Sequence, residues 1–234
     1  MRLGEITKMC TKPTVFVVDE DASIRGSVAD LAGTMGLRCK TYANGLDFLD
    51  DRDEAVPGCI VTETRMMAIG GLQIQRRLLG AGDPLSVIFL AAQADVATVV
   101  RAMRDGAAHF LQKPYSSQEL WDTIQEAVQL SQTRLRVLRK RRELEGRIAS
   151  LTPRERQVLE MVGLEKPNRL IAAELRVGVR TVEIHRAKLM AKLEIKSPMA
   201  LMRIAAQVSQ GHANSNGTSD HLDRMELEAM SPHA

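Results

Sequence analysis

Short apolar runs alternate with amphipathic stretches through the first half of the chain. Residues 15–19 (VFVVD) read as a buried strand. Behind them Ile24, Val28, Leu31 and Met35 recur at helical spacing, which predicts a helix over 23–35 with Ser23 as its N-cap. The alternation repeats: strands are predicted at 37–42, 59–62, 86–90 and 108–111, and helices at 44–51, 71–79, 95–104 and onward from Ser117. Five strands alternating with five helices predict a doubly wound α/β domain with a parallel sheet covered on both faces. In such a sheet the ligand site lies beyond the carboxyl ends of the strands, where strand order reverses.

From Ser117 the helical pattern continues without Gly or Pro until Gly146. One apolar stripe is Leu120, Ile124, Ala127, Ser131, Leu135 and Leu138; a second is Val137, Leu144, Ile148 and Leu151. RLRVLRKRR lies between them. The stripes are too short and broken for a coiled coil, leaving a helical linker that supports dimer contacts or a solvated connector. Residues 150–210 read as all-helical, with helices at 152–162, 168–175, 181–193 and 197–208. The first opens with TPRE: Thr152 fits the N-cap, Pro153 the first helical position and Glu155 the third, a capping box. The expected organisation is an N-terminal extension over 1–12, an α/β domain over 13–129, a linker over 130–147, a four-helix domain over 148–210 and a disordered tail over 211–234.

Composition narrows the function. Aromatics make up 3% of the chain, too few for single-strand stacking platforms. No run of 18 apolar residues is present, so no membrane span is expected, and the first twelve residues lack the apolar stretch of a secretion signal. Cys10, Cys39 and Cys59 are odd in number and widely spaced, which suits a reducing cytoplasm better than a disulfide framework or a zinc site. Charge is divided unevenly. Residues 1–129 carry 13 Lys/Arg against 17 Asp/Glu, whereas residues 130–234 carry 19 against 12. An acidic front and a basic back suggest two domains with different partners, the second a polyanion such as DNA.

The stretch LTPRERQVLEMV…KPNRLIAAELRVGVRTVEIHRAKLMAKL resembles the LuxR-type helix-turn-helix module in its FixJ/NarL branch. Helices 168–175 and 181–193, joined by a turn containing Gly178, fit that arrangement, with Val182, Leu189 and Leu193 facing inward. The resemblance implies that the second helix enters the major groove of double-stranded DNA. It places Glu183, Ile184 and Ala187 at base-reading positions; Glu can accept from cytosine N4, and Ile and Ala can touch a thymine methyl. Arg169, Arg180, Arg186, Lys188 and Lys192 suit phosphates. Thr181 is expected to cap the helix and add an amide contact. His185 reads as a scaffold or phosphate-facing residue. Glu165 departs from the Gly the family carries at the end of the first helix, so Gly163 is expected to supply that break. On the last helix Leu201, Ile204 and Val208 either dimerise, as in the family, or pack on their own domain.

The front domain resembles the flavodoxin-like receiver of two-component response regulators, through VVDED, ETRMMAIGG and AMRDGAAHFLQKPY. The resemblance makes Asp19 and Glu20 the paired acids that hold a divalent cation, Lys113 the phosphoryl contact, Lys113–Pro114 a cis peptide and Phe110 the aromatic switch. Two chemical positions break the pattern. Glu63 replaces the phospho-accepting Asp, and Ala91 replaces the hydroxyl residue; Met67 also stands where Pro is usual. Glu63 sets its carboxylate about 1.5 Å beyond the attack position, one bond length. Misplacement near 1 Å costs on the order of 100-fold. Little or no phosphorylation is therefore expected.

Glu63 is instead expected to pair with Lys113 and imitate a phosphoryl charge, while Ala91 leaves room for Phe110. That combination would hold the receiver near an active, dimerising state. The alternative is an inert scaffold that binds a sensor kinase or a sister regulator. No cofactor is required on this reading, although Asp19, Glu20 and Glu63 could hold Mg²⁺; Glu63 either takes the cation's place or coordinates it. The family's dimer face corresponds to Val99, Arg101, Met103, Phe110 and Tyr115. A homodimeric regulator could also touch RNA polymerase. An enzyme is not expected, since no general base accompanies the acids.

Overall fold

A computed structural model describes residues 12–93 and 95–213, with side chains to residue 208. The expected extension up to residue 11, including Cys10, and the part of the expected tail from residue 214 lie outside the described residues, whereas residues 211–213, expected in that tail, are helical. The chain forms two compact units, Met1–Lys140 and Arg141–Ala234.

The first unit runs β1 (Thr14–Val18), α1 (Ala22–Thr34), β2 (Arg38–Tyr42), α2 (Gly45–Asp51), β3 (Gly58–Thr62), α3 (Gly71–Gly80), β4 (Ser86–Ala91), α4 (Val96–Arg104), β5 (His109–Gln112) and the start of α5 (Ser117–Ala149). The five strands form one parallel sheet in the order β2-β1-β3-β4-β5. Order therefore reverses between β1 and β3. β1, β3 and β4 are buried along their whole length, as strands covered on both faces must be. Alternate residues supply two cores. Val15, Val17, Cys59, Val61, Ile88 and Leu90 meet Val28 and Ala32 of α1 and Leu120, Ile124 and Ala127 of α5. Phe16, Val18, Ile60, Val87 and Phe89 meet Phe48 of α2, Ile74 and Leu78 of α3 and Ala102 of α4.

The expected linker is the continuation of α5, and its first part is held by the first unit. Buried Ser131 Oγ accepts from Gly58 N at 3.0 Å, Leu135 is buried, and Arg139 Nη2 donates to Ala55 O at 3.1 Å. Leu144 and Ile148, from the second stripe, pack instead on the core of the second unit.

The second unit contains α6 (Pro153–Gly163), α7 (Asn168–Leu175), α8 (Val179–Lys192) and α9 (Pro198–Ala213). Its core joins Val158, Leu159, Val162, Ile171, Val182, Leu189, Leu193, Leu201 and Ala205. Leu201 is fully buried there, and Ile204 and Val208 pack against the same cluster, so the α9 face covers its own unit.

Helix starts differ from expectation in two places. Asp21, not Ser23, caps α1: its Oδ1 accepts from Ser23 N at 2.8 Å and Ser23 Oγ at 2.7 Å. An extended Asp just before the first turn reaches that amide, whereas Ser23 already lies inside the helix. Likewise α8 begins two residues before the expected position, at Val179 after an extended Gly178, so Thr181 sits within the first turn and does not cap.

Helix ends differ too. In the first unit, α1, α3 and α4 close at Gly36, Gly82 and Gly106, all with positive φ. In the second unit the same left-handed position is held by Glu165 (φ 56°), Arg176 (φ 52°) and Glu194 (φ 55°). Gly163 does not break α6; it is the last residue of the helix. Glu165 N donates to Val162 O at 3.0 Å and Lys166 N to Met161 O at 3.1 Å, the paired bonds of a Schellman closure. A side chain in this conformation costs ~1–2 kcal/mol that glycine avoids. Glu165→Gly should therefore stabilise the second unit by ~1 kcal/mol. Denaturant unfolding followed by circular dichroism measures this; the lone tryptophan, Trp121, sits in the first unit and would not report it.

Candidate receiver pocket and nucleic-acid interface

The parallel register brings the ends of β1, β3, β4 and β5 to one side of the sheet, so the residues that follow them can converge. Asp19 follows β1 and is 5% exposed; Glu63 follows β3; Ala91 ends β4 and is fully buried; Lys113 follows β5. Lys113 Nζ donates to Asp19 Oδ2 at 3.2 Å and to Glu63 Oε2 at 3.1 Å. Both carboxylates have a second anchor. Asp19 Oδ1 accepts from Asp21 N at 2.9 Å, and Glu63 Oε1 accepts from Thr64 N and Thr64 Oγ1, each at 2.9 Å. Both oxygens of Glu63 are thus engaged. Burial disfavours the Lys113 charge, but the hydrogen bonds and charges of Glu63 and Asp19 outweigh it and raise its pKa above the usual lysine value.

The expected acid trio does not close on a common point. Glu20 is exposed and turns to the loop after β3, where its Oε1 accepts from Met67 N at 2.5 Å. Among the described residues no three His, Cys, Asp or Glu side chains are grouped to hold a metal ion. Asp19 and Glu63 offer hard oxygen donors, yet an ammonium lies within 3.2 Å of both. The residues as arranged do not fit Mg²⁺. Ala91 supplies no hydroxyl; its carbonyl accepts from Lys113 N at 2.8 Å. The Lys113–Pro114 peptide is cis. Phe110 is half-buried in the second core, its ring centroid 5.7 Å from that of Phe89. On the expected dimer face, Val99 and Tyr115 are half-buried, whereas Arg101 and Met103 are exposed. Val96 and Val100, exposed on α4, extend the apolar stripe with Met103.

In the second unit α7 and α8 are joined by Arg176, Val177 and Gly178. Val182 and Leu189 bury the inner face of α8, as does Leu193 just past its end. Glu183, Ile184, Ala187 and Lys188 are exposed on the outer face, with Arg180 and Arg169 exposed nearby in sequence. Val179, at 40% exposure, is a further apolar residue on α8 that the sequence reading passed over. Thr181, His185 and Arg186 are half-buried.

Two expected phosphate contacts have structural partners. Arg186 Nη1 donates to Asn168 Oδ1 at 2.9 Å, tying α8 to the first residue of α7. Lys192 Nζ lies 2.6 Å from Glu155 Oε2, the buried carboxylate of the α6 capping box. Neither could be assigned from the sequence, because the partners lie 18 and 37 positions away. A further feature was also missed. α7 and α8 begin at Pro167 and Gly178, which offer no side-chain acceptor to the first turn. Among the described residues the amides of Asn168, Arg169, Val179 and Arg180 have no intramolecular acceptor. Such amides suit phosphate oxygens.

A sheet of receiver topology followed by a helix-turn-helix unit defines a two-part regulator. Comparison with known proteins agrees. Residues 15–125 match the response regulator receiver domain, and residues 149–205 match the bacterial regulatory proteins of the luxR family. The chain is 35% identical over 205 residues to the transcriptional regulatory protein TdiR of Thauera aromatica, covering 88% of this chain and 90% of that one. It is 37% identical over 191 residues to the transcriptional regulatory protein FixJ of Azorhizobium caulinodans, covering 82% and 90%. The solved structure of response regulator StyR superposes with a TM-score of 0.72 at 36% identity, covering 84% of this chain and 99% of that one. The chain belongs to the FixJ-type response regulators, which join a receiver to a LuxR-type helix-turn-helix domain. It is a DNA-binding transcriptional regulator, and its family is not one of enzymes.

The Glu155 network allows a direct test of how α8 is held. Its hydrogen bonds to Lys192 and Thr152 pull the Glu155 pKa from 4.5 to about 2. A depressed folded-state pKa contributes stability above the unfolded value, and that stability is lost as pH falls through the folded value. Glu155→Gln should lower stability at pH 7 by ~2 kcal/mol. Between pH 4.5 and about 2 the difference from wild type should shrink. Thermal melts followed by circular dichroism across that range check both statements.

Proposed function

We propose that this regulator works without phosphorylation: its receiver is held by its own charges near a dimerising state, and the dimer presents two copies of α8 to DNA. The observation that carries the reading is the Lys113 ammonium shared between Glu63 and Asp19 at 3.1 and 3.2 Å. Phosphoryl transfer depends on positioning and charge stabilisation around an in-line geometry. Here the acceptor position carries a longer side chain whose two oxygens are already hydrogen-bonded. The hydroxyl that would bind an incoming phosphoryl group is absent at Ala91, and an ammonium occupies the neighbourhood a cation would need. The Glu63 carboxylate supplies one negative charge, against about −1.5 to −2 for a phosphoryl group. Phe110 set against Phe89 in a tilted ring contact fits an aromatic drawn toward the core.

The exposed apolar stripe on α4 is the matching dimer surface. In that dimer, Glu183, Ile184 and Ala187 read bases, while Arg169, Arg180 and Lys188 contact phosphates with the open amides of α7 and α8. Two recognition helices then meet half-sites about 34 Å apart along duplex DNA. No Mg²⁺ is required. Among the described residues no helix is long and apolar enough to cross a membrane, and the three separated cysteines suit the cytoplasm.

Light scattering on a sizing column, with and without Mg²⁺ and acetyl phosphate, tests this. A dimer that ignores both additives is the expected outcome. A monomer indifferent to both would point instead to a module that captures a sensor kinase or sister regulator. The double substitution Glu63→Asp with Ala91→Thr should make dimerisation and DNA affinity depend on the phosphodonor. Donor-free DNA affinity equal to wild type in that variant would refute a built-in active state.

A further inference from the structure

The basic run of α5 has no role in the reading above. Residues 134–142 carry six Arg or Lys and no acid. Arg136, Arg139 and Lys140 are exposed there. Among the described residues no acidic partner faces these three. Arg139 donates to the Ala55 carbonyl, which leaves its charge uncompensated, whereas Arg141 is paired with Glu145. Residues 136 and 140 are helical neighbours four apart, and 136 and 139 three apart, so like charges adjoin along the helix. Such pairs disfavour an isolated helix, and a polyanion would relieve them.

We propose that this segment of α5 is a second DNA contact, one that binds duplex phosphates without reading bases. Charge density supports a duplex. Arg136, Arg139 and Lys140, three cations over roughly 6 Å of helix, give about one per 2 Å, against one phosphate charge per ~1.7 Å of duplex axis. A membrane surface fits less well, because insertion needs an exposed apolar face. Leu135 is buried in the first unit, and Val137 and Leu138 are half-buried. The contact rests on the DNA-binding reading and adds affinity to it rather than specificity.

The test is a salt titration of the full chain on its selected operator and on an unrelated duplex of equal length, followed by fluorescence anisotropy. Arg136→Gln with Lys140→Gln should weaken both duplexes about tenfold, leave their ratio unchanged, and make the log–log salt slope shallower by ~2. Lys140→Gln alone should move the slope by ~1. The charge-keeping pair Arg136→Lys with Lys140→Arg should keep the wild-type slope. The helical signal should persist in every variant, since removing like charges relieves the helix. Unchanged slopes in the Gln variants would overturn the proposal, as would an effect confined to the operator. A wild-type chain that binds neither duplex would overturn the DNA-binding reading first, and this contact with it.

Discussion

One ammonium group holds the switch end of the receiver together. Lys113 reaches two carboxylates that follow different strands, and all three side chains are no more than 21% exposed. Without Lys113, Asp19 and Glu63 would face each other partly desolvated, and like charges that close cannot both stay ionised without cost. With it, Glu63 is fixed on one oxygen by Lys113 and on the other by Thr64. The reversal of strand order between β1 and β3 puts the crevice at this place. The side chains then decide that an internal ion pair fills it. Glu63, with both oxygens engaged, and Ala91, which carries no hydroxyl, thus set the chemistry of the pocket without touching the sheet beneath it.

The second unit uses charge in a different manner. Lys192 closes on the buried Glu155 and ties the end of α8 to the start of α6. Arg186 ties the middle of α8 to the start of α7 through Asn168. These bonds hold the orientation of α8 relative to its scaffold, as the proposed base reading would require. They also sort the cations. Arg169, Arg180 and Lys188 stay open to solvent, while Arg186 and Lys192 are part of the frame. The three left-handed closures at Glu165, Arg176 and Glu194 show the unit tolerating backbone strain where the first unit uses glycine.

Much of this was legible in the chain. Buried strands of five or six residues announce themselves as apolar runs, and the alternation with helices leads directly to a doubly wound sheet. The TPRE capping box forms as its spacing implies, because all its partners lie within three residues. Glu63 and Ala91 stand out once the receiver motifs are aligned on VVDED and KPY. Other features were less accessible. Ser23 and Thr181 look like caps by residue type, but the chain turned into the helix two and three residues earlier, at Asp21 and Gly178. Glu165 looked unfit for a left-handed turn, and the closure formed there regardless, since the paired bonds to Met161 and Val162 outweigh the strain.

The sequence by itself determined the elements, their order and the family, because periodicity and capping act over one or two turns. It also put Glu63 and Ala91 at the positions where the receiver resemblance expects an acceptor Asp and a hydroxyl residue. Tertiary structure alone decided which charges meet. Glu63 finds Lys113 fifty positions on, Glu155 finds Lys192 thirty-seven on, and Glu20 turns away to Met67, forty-seven on. Nothing in the local pattern encodes those distances. They follow from the parallel register in one unit and from helix packing in the other, which set side chains far apart in sequence within hydrogen-bond reach.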